Sequence, residues 1–113
     1  MKNIMIRPQN WYTFLRYFCT KCNNSLVSIE VEKNGVKKSM REYARLKNIA
    51  QDFYAEKRIN IALEDSLGIT TEHKIDRVKN IYFDDYRADE FETLKIDSSD
   101  GRSTYLKIYR PGS

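Results

Sequence analysis

Histidine occurs once in this chain, cysteine and proline twice each, and glycine four times. These scarcities exclude whole classes of protein. Two cysteines supply at most half of a four-ligand zinc site. So few glycines supply no phosphate-cradling loop, and neither a GxSxG elbow nor a P-loop occurs. No apolar run approaches the roughly 18 residues that cross a bilayer as a helix. The opening Met1–Pro8 is too short an apolar stretch for a signal peptide, so the expected location is the cytoplasm. Internal repeats, low-complexity segments and interdomain linkers are also missing.

What is present fits one compact domain over residues 1–113, with 110–113 as a flexible tail. At 113 residues the chain can bury a core without disulfides or metals. Its 41% hydrophobic and 32% charged residues describe a globular protein. Twenty basic against sixteen acidic side chains leave a net charge of +4, which favours phosphate-bearing partners mildly. A patch on one face matters more than that total. The usage of Lys, Asn, Ile and Tyr suits an AT-rich genome, such as that of a phage or mobile element.

Residues 10–22 read as a helix in which Asn10 caps and Trp11, Phe14, Leu15, Phe18 and Cys22 form one stripe. Leu26 to Glu32 alternates as a half-buried strand, closed by the turn signal Asn34-Gly35. Ser39-Met40-Arg41-Glu42 has the form of a capping box and predicts a long helix within 40–66, with Met40, Tyr43, Leu46, Ala50, Phe53 and Tyr54 on its apolar face. Gly68 reads as its C-terminal stop. Thr70 or Thr71 then opens a short basic helix to residue 80, with Ile75 and Val78 inward and His73, Arg77 and Asn80 outward. Residues 81–86 read as a short strand or an extended linker. Segments 90–97 and 102–109 form a hairpin. A three-residue loop, Ser99-Asp100-Gly101, pairs Leu94 with Leu106 and keeps Ile96 and Ile108 on the same face; other loop lengths throw these apolar sets to opposite faces.

The expected fold is α+β: about three helices on a small antiparallel sheet, in the order helix, strand, helix, helix, strand, turn, strand. Winged-helix DNA-binding domains share that order, a likeness of fold alone. The expected core comprises Trp11, Leu15, Phe18, Val27, Ile29, Val31, Leu46, Phe53, Ile75, Val78, Leu94, Ile96, Leu106 and Ile108.

On this scheme the chain is a non-enzymatic DNA-binding regulator. Helix 71–80 presents His73, Lys74, Arg77 and Asn80 to the major groove, because Arg and Asn match guanine and adenine edges. Lys95, Arg102 and Lys107 on the hairpin meet phosphates, with Tyr105 and Tyr109 interleaved among the lysines. The plain alternative for each is a solvated helix and a hairpin face packed on the core. A second reading makes the chain a small inhibitor or adaptor with an anti-CRISPR-like role. Its acidic run, including Asp84, Asp85, Tyr86 and Asp89, would then grip a host defence or nucleic-acid-processing protein. A third is a metal-free ribonuclease using Tyr105, Lys107, Tyr109 and Arg110. Cys19 and Cys22 have zinc-site spacing, but the chain supplies too few further ligands, so they read as buried thiols unless two subunits share a metal. No cofactor is expected; a nucleic acid, most simply duplex DNA, or a host protein is the expected partner, and a dimer through a free face of 40–66 is the oligomer considered.

Overall fold

The structure, a computed structural model, describes residues 3–52, 57–84 and 91–109. It is an eight-stranded antiparallel sheet with, among the described residues, one α-helix. The three-helix α+β arrangement and its winged-helix order are thereby overturned.

Strand β1 (Asn3–Ile6) passes through a 3-10 turn at Pro8–Asn10 into α1 (Trp11–Cys22). Seven further strands follow: β2 (Leu26–Lys33), β3 (Val36–Gln51), β4 (Ile59–Glu64), β5 (Thr70–Ile75), β6 (Val78–Asp84), β7 (Phe91–Ser98) and β8 (Ser103–Tyr109). The stripe expected of the first helix is the one it buries, namely Trp11, Leu15, Phe18 and Cys22. Asn10 holds the N-cap position without a side-chain hydrogen bond. The helix start is tied down instead by the Trp11 indole, which donates to the Ile6 carbonyl at 2.9 Å.

Two hairpins follow their turn chemistry. Asn34 and Gly35 adopt φ of 55° and 79°, the paired left-handed residues that a two-residue turn between twisted strands requires. Gly101 takes φ of 91°, and the Ser98 amide donates to the Arg102 carbonyl at 2.8 Å, closing the three-residue loop. Leu94 therefore faces Leu106, and both are buried with Ile96 and Ile108.

The helix expected within 40–66 is instead, among the described residues, the latter part of β3 and then β4. Pairing to β2 across the Asn34-Gly35 turn supplies β3 with hydrogen-bond partners. The helical spacing arises from bulges: the β3–β4 register shifts between Leu46 and Asn48, so Leu46 and Ile49 both point inward although three residues apart. Ser39 and Glu42 do meet, at 3.4 Å, but on a strand. Dimerisation through a helical face of 40–66 loses its basis, and Phe53 lies outside the described residues. Segment 71–80 is likewise no helix. It is β5, a corner at Asp76-Arg77 and the start of β6, with Ile59 opposite Ile75 and Thr70 opposite Glu64.

Strand order is β1-β6-β7-β8-β2-β3-β4-β5. Strands β5 and β6 stand far apart in that order, yet only Asp76 and Arg77 separate them in the chain. The sheet can satisfy both facts only by rolling up. The corner is pinned there by the Val78 amide on the Lys57 carbonyl at 2.8 Å and the Ser99 amide on the Arg77 carbonyl at 2.9 Å. The rolled interior holds Val27, Ile29, Leu46, Ile59, Ile61, Leu63, Ile75, Val78, Ile81, Leu94, Ile96, Leu106 and Ile108. Helix α1 covers one opening, where Phe14 and Phe18 meet Phe83 of β6 at ring separations of 5.7 and 5.8 Å.

Candidate nucleic-acid interface

A seam stays open in the roll. Only Arg45–Gln51 of β3 pairs with β4, so the Val36–Ala44 part pairs with a strand on its β2 side alone. Among the described residues, strand β5 pairs only with β4. Between these two edges lies a cleft of about 970 Å³. Three turns converge on it: Asn34-Gly35, Asp76-Arg77 and Ser98–Arg102. Val31, Met40, Ile75 and Thr104 contribute aliphatic or small polar surface, so Val31, expected in the core, lines the cleft at its margin.

The cleft concentrates charge. Lys33, Lys38, Arg58, Lys74, Arg77 and Arg102 line it against only Asp76 and Asp100. That excess of four positive charges equals the net charge of the entire chain. Arg58 is held by Asp76 and by Asp52, the latter at 3.5 Å, and Arg102 sits 3.4 Å from Asp100. Lys33, Lys38, Lys74 and Arg77 have no carboxylate within ion-pair reach among the described residues. Four like charges around one concavity repel each other, and a polyanion relieves that repulsion. His73 is half-buried in the wall, and burial, then the Arg41 guanidinium, lowers its pKa.

Four of the residues expected to touch nucleic acid, His73, Lys74, Arg77 and Arg102, therefore do share a site. Strands and turns bring them together, and among the described residues no helix lies at the cleft to carry base readout. Asn80 is not among the lining residues; it pairs with Asp97 in the β6–β7 ladder. Lys33, Lys38 and Arg58 were missed in sequence. The first two flank the Asn34-Gly35 turn, a position that marks them as a hairpin tip, but nothing local aims that tip at residues 73–77.

Lys95 and Lys107 lie elsewhere, on the outer sheet face, where each cation meets a carboxylate. Lys107 Nζ donates to Glu30 at 2.8 Å, and Lys95 lies 3.8 Å from Asp97. The Tyr105 hydroxyl donates to Glu32 at 3.0 Å, and burial together with that carboxylate pushes its pKa up to about 12. Lys95 also sits over the rings of Tyr82 and Tyr105, at 5.6 and 5.8 Å. This face is a neutralised lattice, poorly suited to phosphates and, at Tyr105, to proton transfer. Arg110, named with Tyr105, Lys107 and Tyr109 for ribonuclease chemistry, is outside the described residues.

Of the acidic run, Asp84 ends β6 opposite Asn3 and Thr93, while Asp85, Tyr86 and Asp89 lie outside the described residues. Cys22 is buried and Cys19 half-buried, its thiol 3.3 Å from the Asn48 side-chain oxygen. No protein family, no curated protein and no solved structure matches this chain.

Proposed function

We propose that the protein binds nucleic acid by gripping the phosphate backbone in the cleft between β3 and β5. One observation carries this reading: four cations without a carboxylate partner among the described residues converge in a single concavity, whose described lining carries an excess charge equal to that of the chain. Each phosphate neutralised there releases condensed counterions, the term that dominates sequence-independent affinity. With no helix at the cleft among the described residues, base edges contribute little, so a role in regulation would rest on where the protein is delivered or on the form of nucleic acid it meets.

The test is filter binding at low salt to a mixture of native DNA, denatured DNA and RNA. The wild type should retain nucleic acid, and the Lys74→Glu, Arg77→Glu variant should bind at least about tenfold less. Retention of none of the three by the wild type ends the proposal.

A protein-binding adaptor is the second reading, and a different surface favours it. Ile4, Met5, Tyr12 and Tyr17 are each at least half exposed on β1 and α1. Arg7 lies with Ile4, Met5 and Tyr17 along the groove of about 590 Å³ between these elements, which no carboxylate lines among the described residues, while Tyr12 and Arg16 line a separate groove on another side of α1. Aromatic, Met and Arg side chains without Asp or Glu are the composition of interface centres. A Met5→Glu, Tyr17→Ala variant should then lose a co-purifying protein while nucleic-acid binding stays intact.

A further inference from the structure

We infer that the cleft takes a single nucleic-acid strand and excludes the duplex; this rests on the phosphate-binding reading above and narrows its ligand. Size decides first. One base pair of B-form duplex, about 3.4 Å of rise in a cylinder about 20 Å across, displaces roughly 1,000 Å³. The cleft, at about 970 Å³, has room for a single base pair at most. The same space accommodates about two or three nucleotides of an extended strand. A duplex could only rest on the rim, where the exposed Lys33, Lys38, Lys74 and Arg77 would reach the phosphates of its near face alone.

Placement of the charges decides next. Lys33 and Lys38 belong to the β2–β3 wall, Lys74 and Arg77 to the facing wall at the end of β5. A backbone running along the seam meets cations from both sides, whereas proteins that enter a groove carry their contacts on a projecting helix or ribbon. The only described α-helix contributes no residue to the cleft.

Lining chemistry sets the specificity. Val31, Val36, Met40 and Ile75 give the cleft aliphatic surface, and among the described residues the half-buried His73 imidazole is the one aromatic ring that lines it. Stacking, the usual source of affinity for unpaired bases, has no Phe, Tyr or Trp to use among the described lining residues, so binding depends on charge and ignores base identity. For single strands the slope of log K against log salt is about −0.7 per phosphate neutralised. Four unpartnered cations give an expected slope of about −3.

Fluorescence anisotropy tests this with labelled oligo-dT and oligo-dA of about 12 nucleotides, a duplex of equal length, and a poly-glutamate peptide, each across a salt series. The two single strands should bind within about threefold of each other with a slope near −3, and the duplex at least about tenfold more weakly. Lys74→Ala and Arg77→Ala should each flatten the slope by about 0.7 while circular dichroism stays unchanged. Equal affinity for duplex and single strand overturns the inference and leaves the nucleic-acid reading standing. Failure of all the oligonucleotides removes that reading, and the inference with it. Poly-glutamate binding tighter than either single strand overturns both in favour of an acidic protein partner.

Discussion

Cys22 is enclosed with Trp11, Leu15 and Phe18, and that burial, helped by the nearby Glu92 carboxylate, pushes its thiol up to about 11. Its thiolate is almost absent near neutrality, whereas Cys19 is partly accessible. Brief iodoacetamide treatment of the native protein at about pH 8 should therefore place one adduct, on Cys19, and a second only after denaturation. Equal labelling of both in the native state would contradict the packing of α1. The single histidine offers a second handle. Burial, then Arg41, lowers the folded pKa of His73 from its ordinary 6.5, so the unfolded chain takes up that proton more readily. Stability from this group is complete above about pH 6.5 and falls as the pH drops below it. Urea titrations between pH 7 and pH 5 should show that loss, and His73→Gln should flatten it; an identical slope in the variant would mean that another group titrates. Bound phosphate acts in the opposite sense: it favours the imidazolium, so nucleic-acid affinity should rise on acidification.

Each strand was legible to the extent that its alternation ran unbroken. Ile59-Asn60-Ile61-Ala62-Leu63-Glu64 buries every second residue, a signal visible in the sequence but overridden by the capping-box pattern upstream. In β3 the bulges erase alternation, and an inserted residue turns a spacing of two into the three of a helix. Gly68, read as a helix stop, has φ of 81° in the loop between β4 and β5. That loop is organised by Asp65, whose carboxylate accepts the amides of Leu67 and Ile69 at 2.9 Å each. Asp65→Ala leaves these amides to solvent and should cost about 0.5–1.5 kcal/mol, read from the urea midpoint at unchanged m-value. No effect would show that the strands, and not this side chain, dictate the loop.

Rolling the sheet brings hairpin tips from both halves of the chain around one concavity. The electrostatic cost of gathering Lys33, Lys38, Lys74 and Arg77 there is borne by the core, which holds the strands regardless of the cations. Tripolyphosphate should consequently raise the melting temperature more than sodium chloride of equal ionic strength. In low salt the Lys74→Ala, Arg77→Ala protein should melt about 2–4 °C above the wild type, as relief of roughly half a kcal/mol of repulsion would give in a chain of this size. Melting temperatures that respond identically to both salts would show that the four charges do not feel one another.

The local code sufficed for α1, for the Asn34-Gly35 turn and for the β7–β8 register, because each is settled by contacts between residues near in sequence. It also picked out the cationic character of residues 73–77 and of Arg102. The conformation of residues 36–51 and 70–84 was settled otherwise. Those segments have hydrophobic spacing compatible with a helix, and pairing with β2, β4 and β7 outweighs that preference by satisfying their backbone groups in the ladder. The cleft belongs to the same level, since no stretch of sequence records that the strand at one end of the sheet order must fold back to meet the tip of another. Which cations became neutral pairs and which stayed unpartnered followed from that closure alone.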